Sequence, residues 1–473
     1  MWEAELMRHE NARYYFDGLV FEEKVDLEAG VTDTPLLYPV GMNLVKMLCL
    51  AQADSTYGEW EETPVRFAIY RNKTGSAADT EALELASDIL ANSQAQSMLW
   101  ELELDRNVFG GAAIKIFPDL SNPPYIRWTR VPRQMFFPIW DPDSPDELLE
   151  VYIAVPMTQE QAKAKYGLNE PTRETIWRVE HWTRKYYENT LDGKRIAEFS
   201  GVNPWGIVPF QYIPRLRFNN WWGESLVKDV APVQDELNMR AADVGEAINY
   251  NAHPTRWGMN MPRNFNAKNF PIGSNSFWDL GRSIGSSPPP QVGMLESKSA
   301  VAPGVFEYVN FLYDWSRTSV FAPPIAFGED NGGGQRSGIT LEIRMWPLIK
   351  ATRRSRAYLF SGIQRALKTS AKILQQKRFE DIPIRPLDSI AQGRIVPVFD
   401  PIMPRDQAAL VDEVVKLMST DPPSISLETA QVILGRGVSE VEKIRDMLED
   451  EGLWKVSDTG NETEGEVETS ISN

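Results

Sequence analysis

The stretch that most constrains the fold runs from Gly338 to Arg378. Within it Leu341, Met345, Leu348, Leu359, Ile363, Ala366, Leu367, Ala371 and Leu374 recur at helical spacing. At about 1.5 Å per residue, about 40 residues make a rod about 60 Å long, beyond the usual globular helix. Pro347 falls inside it. Having no N–H, it cannot bond the carbonyl of Ile343, so a kink is expected there. A loop, Ala322–Ser337, leads into the rod and contains Pro323, Pro324 and the adjacent glycines Gly332, Gly333 and Gly334. Such residues resist helix and strand alike.

The rod is lopsided in charge. It carries Arg344, Lys350, Arg353, Arg354, Arg356, Arg365, Lys368, Lys372, Lys377 and Arg378, and its only acid after Gly338 is Glu342. The chain as a whole has a formal net charge of -17. A basic rod in an acidic protein needs a solvated face, acidic neighbours in its own chain, another subunit or a polyanion. The glycine loop has two readings. It is a flexible surface connection, or a mobile loop that touches a moving ligand through Glu329, Asp330, Asn331, Gln335 and Arg336.

With 473 residues the chain has room for two to four modules, and 42% hydrophobic residues are enough for large cores. The single cysteine, Cys49, excludes an internal disulfide framework. No apolar run approaches the roughly 20 residues of a membrane span. MWEAELMRHENARYYFDG has no basic start followed by an apolar run, so a soluble protein made in a cytoplasm is expected. The acidic balance argues against a sequence-specific grip on DNA, though not against handling DNA without gripping it.

In chain order, Trp2 to about Tyr57 reads as helical, broken by Pro35 and Pro39. Val65–Tyr70 reads as a strand and Asp79–Leu104 as one helix. Ala113–Phe117, Tyr125–Val131, Leu149–Val155, Ile176–Arg184 and Ile207–Ile213 read as strands. Thr158 caps a short helix ending near Gly167. Ser225–Tyr250 and Gly304–Phe321 are helices flanking a Pro-, Gly- and Asn-rich insertion, with strands expected at Ser276–Leu280 and Gln291–Leu295. Ile382–Pro386 and Ile395–Phe399 read as strands, Pro404–Thr420 as a helix. The end of the chain after Trp454 is acidic and apolar-poor, which predicts disorder.

Chemistry is hard to find. His9, His181 and His253 show no metal-ligand spacing. GGGQRSG lacks the lysine of a phosphate loop. GRSIG matches GxSxG in letters, but SSPPP follows Ser283 where a helix is required, so it is a chance match. No catalytic, cofactor or metal residues are assigned.

The order of motifs resembles the portal proteins of tailed bacteriophages, most closely the siphophage type. NPWGIVPFQYIPRLRFNNWWGESLVKDVAPVQDELN is similar to that family's passage from wing to stem. RVPRQMFFPIWDPDSPDELLEVYIA resembles wing strands, and SGITLEIRMWPLIKATRRSRAYLF the long helix after the tunnel loop. PVFDPIMPRDQAALVDEVVKLM and SISLETAQVILGRGVSEVEKIRDMLEDE resemble the end of the wing and the crown. The resemblance implies an α+β subunit: a wing (1–223 and 379–403), stem helices (224–252 and 303–321), a small β-rich clip (253–302), a tunnel loop (322–337), a long kinked helix (338–378), a helical crown (404–454) and an acidic tail (455–473). It implies a homo-oligomeric ring, usually of twelve, at one capsid vertex of the virion. Double-stranded DNA would pass without sequence specificity. The terminase large subunit and a head-tail adaptor would dock on the clip, with Arg263, Asn264, Lys268, Trp278 and Arg282 as clip candidates. Major capsid and scaffolding proteins would be further partners, and no membrane and no cofactor would be involved. Glu329 to Arg336 would face DNA. Two alternatives stay open: another capsid or tail-adaptor component, and a nucleic-acid-processing enzyme.

Overall fold

The computed structural model describes residues 2–19, 42–57, 65–71, 79–119, 121, 123–167, 175–218, 221–252, 256–261, 288–294, 303–329, 338–377, 379, 382–399, 402 and 407–419. The helices among them are α1 (Trp2–Asp17), α2 (Leu44–Tyr57), α3 (Thr80–Asn92), α4 (Ala95–Phe109), α5 (Gln159–Tyr166), α6 (Val227–Ala252), α7 (Pro303–Ser319), α8 (Gly338–Lys377), α9 (Ile384–Gln392) and α10 (Gln407–Met418). The strands are β1 (Arg66–Tyr70), β2 (Gly111–Pro118), β3 (Ile126–Val131), β4 (Phe136–Asp141), β5 (Ser144–Met157), β6 (Ile176–Thr183), β7 (Tyr186–Leu191), β8 (Lys194–Arg195), β9 (Gly201–Val202), β10 (Phe210–Pro214), β11 (Arg256–Met259), β12 (Gln291–Met294) and β13 (Arg394–Val398). The chain is thus mixed α+β. It divides into two compact units, Met1–Ile402 and Met403–Asn473; α10 is the described helix of the second.

In the first unit every described strand pairing is antiparallel. The sheets run β10-β2-β3, β1-β13, β11-β12 and β4-β5-β6-β7-β8, with β9 also on β7. The second half of α8 crosses the β10-β2-β3 sheet and buries Leu359, Ile363, Ala366, Leu367, Ala371 and Leu374, the stripe read from spacing. A Cβ on Gly362 would come within 2.4 Å of Ile213, so only glycine lets α8 lie this close to β10. Trp128 Nε1 donates to Ser370 Oγ at 2.8 Å and fixes the rotation of the helix.

α8 is tied to the body by a buried ion pair. Arg106 and Glu103, one turn apart on α4, are both fully buried and in direct contact. Arg106 Nη2 also donates to the carbonyls of Pro214 and Ser355, each at 3.1 Å. Glu103 Oε1 accepts from Thr56 Oγ1 (3.1 Å) and Ser355 Oγ (2.8 Å). One charge pair therefore joins α2, α4, β10 and α8. A second pair of close approaches seats the next turn. Gly110 ends α4 at φ 86°, and Gly223 lies back to back with it at φ 88°, where a Cβ on Gly223 would sit 2.2 Å from the Gly110 carbonyl oxygen.

Several expectations change. Asp79–Leu104 is two helices, not one. Gln94 takes a left-handed φ of 51°, and the Ser93 hydroxyl accepts from Trp128 N at 2.8 Å, so a strand contact ends α3 where no Gly or Pro does. Ile382–Pro386 is not a strand; it opens α9. Pro386 is tolerated there because first-turn N–H groups have no helical partner, and burial of Leu387 and Ile390 at three-residue spacing sets the helical period. β4 extends the strand region beyond the segments expected, with Pro138 inside it. Ser276–Leu280 and the crown motif SISLETAQVILGRGVSEVEKIRDMLEDE lie outside the described residues.

Glu103→Ala leaves Arg106 buried without its partner, and should cost about 3–5 kcal/mol of unfolding free energy, read as a lower urea midpoint. Gly110→Ala combines a left-handed φ with a backbone clash, and a loss of roughly 2–4 kcal/mol is expected in the same assay.

Candidate functional site

α6 and α7 form an antiparallel pair that ends in the β11-β12 ribbon, registered Arg256↔Met294 to Met259↔Gln291. Leu237 and Leu312 meet Leu44 at the base of the pair. Gln234 fastens that base by accepting from Leu44 N and donating to the Met42 carbonyl, both at 2.8 Å. Tyr308 Oη donates to Glu236 across the pair at 3.3 Å. Pro232 sits within α6. The clip candidates Arg263, Asn264, Lys268, Trp278 and Arg282 lie outside the described residues, as does His253.

α7 shows a feature that spacing alone would have flagged and that the sequence reading passed over. Tyr308, Phe311 and Trp315 form one stripe, with ring centroids 6.5 and 5.5 Å apart. They are 42%, 54% and 54% exposed, while Leu312 on the packed side is 4% exposed.

After α7 the chain makes a short 3-10 turn, Pro324–Phe327, and reaches Glu329. Glu329 accepts from Arg317 Nη1 at 2.7 Å, which pins the first part of the loop to α7. Asp330, Asn331, Gly332, Gly333, Gly334, Gln335 and Arg336 lie outside the described residues.

α8 runs as helix through Pro347. Before this proline Ile343 and Trp346 are 68% and 43% exposed; directly after it Leu348 and Ile349 are buried. The first turns are therefore an arm and the rest is a core helix. The basic residues divide about two turns later, at Ser355. Arg344, Lys350, Arg353 and Arg354 are exposed. Lys350 and Arg353 lie over the Trp346 ring at 5.2 and 5.9 Å, and Arg354 lies over Phe321 at 5.2 Å. Arg356 instead donates to the Thr56 carbonyl at 2.7 Å, and Arg365 to Ser361 Oγ at 2.8 Å, with Asp146 at 3.4 Å. Lys368 is half-buried. Acidic neighbours and backbone carbonyls thus engage the lower part of the rod, while the upper part keeps its charge at the surface.

A concavity of about 1440 Å³ lies between α1, the end of β4 and the start of α6, with Trp2, Trp140, Trp221 and Trp222 among its walls. Its chemistry is largely committed. Glu5 pairs with Arg8 at 2.6 Å, Glu224 with Lys228 at 3.0 Å, and Asp235 accepts from Tyr15 at 2.6 Å. His9, at its inner edge, is buried against Phe109 and Trp222. Burial, then the nearby charges of Arg133 and Arg8, holds its pKa down to about 3. His181, on β6, contacts Glu150 at 2.8 Å. Among the described residues no three metal-ligating side chains gather, and no helix is long and apolar enough to cross a membrane.

No known family model matches this chain, and no curated protein matches it.

Because His9 stays neutral in the fold and charges at 6.5 when unfolded, its contribution is whole above pH 6.5 and lost as pH falls toward 3. Between pH 7 and 5 the wild type should lose about 2 kcal/mol more than His9→Gln, measured as the change in urea unfolding free energy at the two pH values.

Proposed function

We propose that this chain is the subunit of a portal ring, a conduit through which double-stranded DNA enters and leaves a phage capsid. The observation that carries the reading is one linked series in a single compact unit: an antiparallel helix pair tipped by a β-ribbon, a Pro- and Gly-rich connection, and a 40-residue helix with Pro347 inside it. The order of motifs along the chain resembles that of portal proteins, which supports the same assignment. In this reading the α6–α7 pair is the stem, the ribbon is the base of the clip, α8 is the kinked helix, and the sheets with α1 to α5 and α9 are the wing. Terminase and a head-tail adaptor would dock at the clip, and α10 would begin the crown.

The physics of a conduit suits this composition. Each phosphate neutralised adds a salt-dependent grip, so a channel that must let DNA slide benefits from net acid along its bore. The formal charge of -17 fits a surface that repels rather than holds. Ring closure demands a heterologous interface, one face of each subunit against a different face of the next.

The test is imaging of the purified chain and of virus particles end-on. An annulus with an open axial hole is expected, with the mass of a closed oligomer by native mass spectrometry. A chain that stays monomeric at high concentration, with no annulus in particles, overturns the reading. Deleting residues 329–335 should leave rings intact and reduce DNA packaged or retained per particle; unchanged packaging removes the loop from the mechanism.

A further inference from the structure

Among the described residues, two apolar surfaces of the first unit stay exposed in a single copy. One is the aromatic stripe Tyr308–Phe311–Trp315 on α7. At roughly half exposure, three such rings leave on the order of 300 Å² of aromatic surface in water, comparable to the largest patch on a typical monomer. The other is the α8 arm, where Ile343 and Trp346 are exposed beside the cations Lys350 and Arg353.

The two are complementary in charge. Glu307 and Asp314 lie along one edge of the stripe and are exposed, Asp314 in contact with Arg317, and α6 carries Glu236 and Asp243 on either side of Arg240. The α8 arm is cationic with Glu342 as its one acid. Guanidinium and ammonium groups are attracted to the faces of aromatic rings, and α8 already uses that contact internally over Trp346 and Phe321. Within one copy the surfaces do not cover each other. α8 meets the far end of α7 where Arg354 lies over Phe321, and does not run alongside that helix.

We infer that the occupant of the α7 stripe is the α8 arm of a second copy. Ile343 and Trp346 would pack on the aromatic rings, and Lys350 and Arg353 would reach Glu307 and Asp314. Each copy has one donor surface and one acceptor surface, and such a contact repeats from copy to copy and can close a ring. The inference rests on the ring reading above and adds to it the pairing that holds neighbours together.

A charge-swap series on the full chain tests it by native mass spectrometry and negative-stain images. K350E/R353E reverses the arm, and E307K/D314K reverses the edge of the stripe; Arg317 keeps Glu329 as its partner in the second variant. Each reversed pair alone should weaken assembly at least tenfold in concentration, and the four-fold variant should regain rings. Trp315→Ala should weaken assembly without lowering the thermal midpoint of the monomer. Rings in both reversed variants at wild-type concentrations, or no recovery in the four-fold variant with its monomer folded, overturn the pairing and leave the ring reading standing. Normal rings from K350E/R353E with reduced DNA retention would assign the arm to nucleic acid and also overturn it. Absence of rings from the wild type would remove both.

Discussion

The fold depends on a salt bridge placed where water cannot reach it. Glu103 and Arg106 are both fully buried, and desolvating two charges is costly unless the remaining lone pairs and protons are satisfied. Here the hydroxyls of Thr56 and Ser355 and the carbonyls of Pro214 and Ser355 supply those partners. The partners come from α2, β10 and α8, so the pair can be satisfied only when these elements are in register with α4. An apolar cluster of similar volume would fill the space without specifying which turn of α8 faces it. The charges specify it: Ser355 supplies both a hydroxyl and a carbonyl to the pair, and a slip of one residue removes both.

That register determines what the rest of α8 does. Below Ser355 the helix is a core element, closed onto β10 through Gly362 and Ile213 and onto β3 through Trp128 and Ser370. Above it the helix is released at Pro347, where apolar side chains change from buried to exposed within a few residues. The missing N–H of Pro347 falls at that boundary, where loss of a helical bond weakens the link between an anchored rod and a free arm. The exposed cations Lys350 and Arg353 beside Trp346 leave this part of the helix available to another molecule.

The helical pair is built on a different principle. Its base is fixed by Gln234 and the Leu44, Leu237 and Leu312 contacts, and on the other faces of the same turns apolar groups such as Met239, Phe311 and Trp315 face outward. A helix with apolar residues on more than one side is wider in its hydrophobic face than one neighbour can cover. In a globular monomer that is a liability; in an assembly it is the surface that neighbours use.

Periodicity alone determined a good deal. The extent of α8, its buried stripe from Leu359 to Leu374, the Thr158 cap and the existence of strands around β2, β5 and β6 were all legible, because helical and strand repeats and caps are local properties of side-chain order. Tertiary structure decided the rest, and the reason is that contacts far apart in the chain set it. Ser93 ends α3 because Trp128 reaches it from a strand, and Ile384 opens a helix because Leu387 and Ile390 find a core. Arg365 and Arg356 leave the basic face because Asp146 and Thr56 lie opposite them. Nothing in the local order of residues marks Glu103 and Arg106; only the packing of α2, β10 and α8 around them makes them a buried, fully partnered pair.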